Sequence, residues 1–166
     1  MKTQMLVAAI VGALVLSGCS SADEKPRKGK YKPEVELTAL ELPGLTADMR
    51  AQAEGQMKAQ FASQFAGEQC LGATDKGEWK KASEQVSKGL GGQCTTVREA
   101  STDSSVDMEI KCTGTQMGDV TTTIKGAAES ESFSMDINLN LDKLPEPTPG
   151  QGKLGMKISA KRTGDC

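Results

Sequence analysis

The sequence predicts an α+β fold: one twisted antiparallel sheet of about five or six strands, mostly a meander, covered on one face by a long N-terminal amphipathic helix. Three observations predict it. From Cys94 onward, short segments alternate apolar and polar residues, the period of a half-buried strand. Each of those segments is apolar on one face only, so the sheet is wet on one side and needs a cover on the other. Between Thr46 and Ala66 apolar residues recur every fourth position, which supplies the cover.

Taken in order, Gly29 to Leu42 (GKYKPEVELTALEL) alternates, with Tyr31, Val35, Leu37 and Ala39 against Lys32, Glu34, Glu36 and Thr38. Pro33 lacks a ladder donor, which predicts an edge strand or a strand that begins after it. Pro43-Gly44 ends the segment with turn chemistry. Thr46 then offers an N-cap and Asp48 a first-turn acid. The helix that follows carries Met49, Ala53, Met57, Phe61 and Phe65 on its apolar side and stops at Gly67. Cys70-Leu71 reads as a short extended piece. Glu78 to Leu90 offers a second, weaker helix, with Trp79, Ala82, Val86 and Leu90 on one face.

The strands come next. Cys94 to Glu99 and Val106 to Cys112 flank the polar loop Ser101 to Ser105, and Cys94 and Cys112 are equidistant from Asp103. A symmetric hairpin places those two cysteines opposite each other, at about the 4.5–5.5 Å Cβ separation of cross-strand neighbours, near disulfide reach. That register turns Val97 away from Met108 and Ile110, and a bulge there would change the parity. Val120, Thr122 and Ile124 mark a further strand. Phe133, Met135, Ile137, Leu139 and Leu141 alternate with Ser134, Asp136, Asn138, Asn140 and Asp142. Leu144 to Gly152 is a Pro/Gly loop and the best candidate for mobility. Leu154, Met156, Ile158 and Ala160 form the last strand.

The composition excludes whole classes of chemistry. There is no histidine, which removes Ser-His-Asp and Cys-His catalysis, His-ligated zinc or copper, and haem on a proximal His. The net charge of −2, with signs mixed along the chain, offers no basic patch with interleaved aromatics, so nucleic acid is not an expected partner. Aromatics are limited to Trp79, Tyr31, Phe61, Phe65 and Phe133, so methionine has to fill core volume. Met49, Met57, Met108, Met117, Met135 and Met156 are spread one per element on apolar faces, which fits core filling better than Cu(I). Glu129, Glu131 and Asp136 lack the tight Asp/Asn pattern of a calcium loop. No Gly-rich phosphate loop follows a strand. No cofactor, metal or catalytic residue is expected, and the chain reads as a non-enzyme.

One motif is chemically decisive. Lys2 supplies a positive n-region, and Met5 to Leu16 form an apolar run too short to cross a hydrocarbon core of about 30 Å as a helix. The run closes on Leu16-Ser17-Gly18-Cys19, which resembles the lipobox of bacterial lipoproteins. The resemblance implies a signal peptide at 1–18, a diacylglyceryl group on the Cys19 thiol and a further acyl chain such as palmitate on the new amine. It makes the membrane a partner through those chains. Residues 19–28 then form a lipidated flexible tether and 29–166 a single domain. Cleavage removes Lys2 and shifts the charge from −2 to −3. Ser20 is compatible with export to the outer membrane if the host is Gram-negative. The expected location is the cell envelope, facing the periplasm.

The remaining cysteines, Cys70, Cys94, Cys112 and Cys166, are even in number, and an exported chain reads that as two disulfides with three possible pairings. Their gaps are far wider than the two to four residues, or about that, of a zinc knuckle. The hairpin favours Cys94–Cys112, which leaves Cys70–Cys166.

The segment GKYKPEVELTALELPGL, the Met/Ala/Gln-rich helix, QCLG, two mid-chain cysteines and the terminal AKRTGDC together resemble the family catalogued as domain of unknown function 3617. Tyr31 stands where that family usually has Trp, and Gly72-Ala73 where it has Thr-Pro. The resemblance implies small, Met-rich exported proteins, many of them lipoproteins, with this four-cysteine layout. It carries over no catalytic residue. Two roles follow as expectations: a structural or interaction lipoprotein that meets another envelope protein, or a periplasmic carrier of an apolar ligand or lipid between sheet and helix.

Overall fold

The structure is a computed structural model and describes residues 26–72, 84, 87–144 and 150–166. The targeting segment, Cys19, the tether up to residue 25, most of the second helix with Trp79, and 145–149 of the Pro/Gly loop lie outside the described residues. Eight elements follow in order: β1 (Gly29–Glu41), α1 (Ala47–Gln64), β2 (Gln69–Leu71), β3 (Gln93–Glu99), β4 (Ser105–Thr115), β5 (Gly118–Glu129), β6 (Ser132–Lys143) and β7 (Gly152–Gly164). The strands form one seven-stranded sheet, ordered β2-β1-β7-β6-β5-β4-β3, with every neighbouring pair antiparallel.

The sheet dominates the molecule, and this corrects the expected α+β fold with its sheet of five or six strands under a long amphipathic helix. Helix α1 does begin at an N-cap on Thr46, whose Oγ1 accepts from the Met49 N–H at 3.3 Å. It does not present one apolar stripe. Met49 is 50% exposed, Ala53 and Met57 are half-buried, and only Phe61 and Phe65 are buried. The reason is angular. At 3.6 residues per turn a strict four-residue spacing drifts by about 40° per step, so Met49 and Phe65 point to different sides. Only the last turns of the helix reach the sheet. Leu90, at the end of a helical turn over 87–90, adds to the same core.

Alternation does hold in the strands, and the register stacks it into rungs. On the apolar face Met108, Ile124, Ile137, Met156 and Leu37 lie side by side across β4, β5, β6, β7 and β1. Cys112, Val120 and Leu141 form a second rung, and Ala128, Phe133 and Ala160 a third. Met108, Cys112, Ile124, Ile137 and Met156 of these rungs pack with Phe61, Phe65 and Leu90 into the main core, while Ala160 joins Tyr31 and Leu71 in a smaller cluster that Phe133 also touches. Met108 and Met156 are buried in the main core, and Met57, Met117 and Met135 pack against that core, so these thioethers fill core volume.

Strands β1 and β3 depart locally from simple alternation. Strand β1 starts at Gly29, ahead of Pro33, and is flanked by β2 and β7. The β2 pairing ends at Tyr31, so beyond that rung no strand among the described residues pairs with this side of β1, and a residue without an N–H is tolerated. A bulge between Leu37 and Ala39 also shifts the parity, which buries Leu40. In β3 the register breaks between Thr96 and Arg98, and the intervening Val97 is 53% exposed.

Candidate functional site

Both cysteine pairs are joined. Cys94 lies opposite Cys112 in the β3–β4 register, with Cα atoms 4.0 Å apart, and the bulge at Val97 falls beyond the bridge. Cys70 bonds Cys166 with a Cα separation of 5.8 Å. On β1, Lys30 is the rung partner of both Cys70 and Gly164, so this bridge clasps the start of the strand from its two neighbours. Cys19 lies outside the described residues.

The end of the sheet where the chain enters is heavily tied. Pro26 is fully buried, and the Arg27 N–H donates to Ser130 O at 3.0 Å, so the domain begins ahead of Gly29. Tyr31 is 0% exposed beside Phe133, their ring centroids 6.0 Å apart, and its hydroxyl donates to Arg27 O at 2.6 Å. Glu131 bridges Arg27 at 3.1 Å and Arg162 at 3.6 Å. Arg162 also pairs with Asp165 and donates from Nε to Lys28 O at 3.3 Å. Burial raises the Tyr31 phenol above its ordinary 10.0; the Arg162 charge opposes that, Glu131 adds to it and Arg27 opposes it. This cluster holds the N-terminal segment, the β5–β6 turn and the C-terminus together. Its phenol stays protonated at neutral pH.

The opposite, wet face of the sheet carries the other candidate surface. Two open depressions lie on it. One, of about 580 Å³, is lined by Glu41, Glu109, Lys111, Asn140, Asp142 and Lys153. Thr121, also in its wall, donates from Oγ1 to Asp142 Oδ2 at 2.5 Å. The other, of about 520 Å³, lies where Ala127, Ser134 and Ser159 share a rung and their short side chains leave room.

Between the depressions runs a single charged rung. Glu36 pairs with Lys157, Lys157 with Asp136, Asp136 with Lys125, and Lys125 with Asp107. Arg98 of β3, whose register partner is Glu109 one rung along, reaches diagonally to Asp107 in an ion pair at 2.5 Å and so brings its charge to the end of the row. Charge therefore alternates −, +, −, +, −, + across β1, β7, β6, β5, β4 and β3. Sequence reading placed Glu36 and Asp136 on polar faces but missed the row, because strand alternation shows the face and only the pairing register shows which residues are neighbours.

Among the described residues no three His, Cys, Asp or Glu side chains converge as a metal site. The described helices include none long and apolar enough to cross a membrane. No curated protein and no solved structure is significantly similar to the chain. Residues 24–166, with the clasped strand, both bridges and the charged rung, match the family described as Protein of unknown function (DUF3617), and the chain belongs to that family.

Proposed function

We propose that the protein is a membrane-anchored envelope lipoprotein, a non-catalytic structural or interaction module whose working surface is the wet face of its sheet. The observation that carries this reading is the asymmetry of the sheet. One face is consumed by the core with Phe61, Phe65 and Leu90, and the other displays Glu36, Lys157, Asp136, Lys125, Asp107 and Arg98 in one row. Filling of the apolar face favours interaction over carriage of an apolar ligand.

The anchor is read from Lys2, the apolar run Met5 to Leu16 and Leu16-Ser17-Gly18-Cys19. Two disulfides suit an oxidising compartment such as the periplasm. Ser20 suits transfer to the outer membrane of a Gram-negative host. With Pro26 inside the domain, only residues 20–25 separate it from Cys19, a length of chain that reaches about 20 Å at most. The domain therefore works in a thin layer beside the bilayer. Two or three acyl chains, at about 0.8 kcal/mol per buried CH₂, make that attachment effectively permanent. Cys19→Ser is expected to move the protein from the membrane fraction to the soluble fraction. Unchanged membrane retention would overturn the anchor.

A further inference from the structure

We propose that the wet sheet face is the interface of a symmetric dimer, formed when the row Glu36, Lys157, Asp136, Lys125, Asp107, Arg98 packs against the same row of a second copy. The row has an even number of alternating charges, so reading it backwards exchanges every sign. A two-fold axis parallel to the strands, between β5 and β6, lays the row on its own reverse. Asp136 then faces the second copy's Lys125, Lys157 faces Asp107, and Glu36 faces Arg98. The other in-plane axis, along the row, sets every charge against itself. Charge pattern alone selects the first arrangement.

Three further observations agree with it. Glu36, Lys157, Asp136 and Lys125 are exposed, and among the described residues none of them closes an ion pair within 4.0 Å. They remain available to a partner. The adjacent rung toward the chain entry runs Glu34, Ser159, Ser134, Ala127 and Ser105, and the same axis matches its four small residues, Ser134 against Ala127 and Ser159 against Ser105. Small residues meeting small residues let two sheets approach to about 10 Å. Lys111 and Lys153, two rungs the other way, would meet each other, which confines contact to the central and entry-side rungs.

Finally, an axis along the strands leaves strand direction unchanged, so Pro26 of both copies lies at the same end. Two tethers then reach one membrane. This last point rests on the anchor proposed above; the matching of the rows does not. Exposed ion pairs are individually weak, so the dimer forms mainly where a shared membrane raises the effective concentration, and it weakens with salt.

The test uses the full lipidated chain, in ¹⁴N and ¹⁵N forms, mixed and reconstituted in phosphatidylethanolamine/phosphatidylglycerol vesicles. A zero-length carbodiimide joins carboxylates to amines that touch. Mixed-isotope peptides linking Asp136 to Lys125 and Asp107 to Lys157 are expected. Lys125→Asp should lower the mixed Asp107–Lys157 product at least about fivefold, and Asp136→Lys with Lys125→Asp should restore it to within about twofold. Lys125→Gln, which adds no like charge beside Asp136 and Asp107, carries the test if Lys125→Asp melts early. With the chain bound to the vesicles, links confined to one copy, or a yield that ignores these changes, would overturn the dimer. Sedimentation of the full chain carrying Cys19→Ser, at high protein and low salt, gives the second arm. A dimer there that Lys125→Asp abolishes supports the interface even if Cys19 proves not to anchor the chain. Monomers in both arms overturn it.

Discussion

Tyr31 is the single tyrosine of the chain, which makes the most constrained residue at the entry end also the easiest to follow. Burial is the main cause of its raised pKa, so the folded state disfavours the phenolate. The sign follows by linkage. The stabilisation is complete below the ordinary value of 10.0 and is lost as pH rises past 10.0 and through the folded value. A near-ultraviolet absorbance titration should therefore show one phenol with a midpoint above 10.0, together with a falling Tm over that alkaline window. Tyr31→Phe should abolish that window. It should also cost about 1–2 kcal/mol in a urea melt, since the bond to Arg27 O is lost and a poorly hydrated carbonyl is left behind. A midpoint at or below 10.0 would mean that burial does not govern this residue.

At the level of elements, α1 is where sequence and structure part. Its start was legible in Thr46 and Asp48, because a cap is a local event. Its packing was not, because recurrence at every fourth residue imitates a stripe and winds away from one. The structure therefore expects Phe61→Ala to cost about 3–5 kcal/mol in chemical denaturation and Met49→Ala less than about 0.5 kcal/mol. Comparable losses at both positions would restore the continuous stripe. The strands were legible wherever a residue's fate depends only on its own alternation: Met108, Ile110, Ile124 and Ile137 are all buried as their pattern requires. Cys94 and Cys112 even revealed a register, through the symmetry of their hairpin. What depends on two distant strands at once stayed hidden. Glu36 and Lys157 meet only because β7 returns beside β1, and nothing within either segment announces that pairing.

For the molecule as a whole, the two bridges differ in reach and in exposure. Cys70–Cys166 spans 96 residues and Cys94–Cys112 spans 18. Chain-entropy estimates give about 4.7 kcal/mol for a loop near the first length and about 3 kcal/mol for one near the second. Cys70 and Cys166 are exposed, whereas Cys112 is 1% exposed. Under mild reductant in native buffer, alkylation and peptide mapping should find Cys70 and Cys166 modified first, with a loss of about 2–5 kcal/mol in stability. Earlier opening of Cys94–Cys112 would reverse that order. The position of the wider bridge also decides how the fold responds to force. A pull on the chain from its N-terminal side arrives at Pro26 and Gly29 and runs along β1, parallel to its long pairing with β7, so the ladder bonds from Lys30 to Glu41 are loaded together in shear and cannot be unzipped singly. Because Cys70–Cys166 closes over Lys30 from both neighbouring strands, the first rung to feel the tension is the one locked by a covalent bond. The entry strand thus resists tension in two ways, by ladder bonds loaded in shear and by a covalent closure over its first rung, and reducing that one disulfide would remove the second.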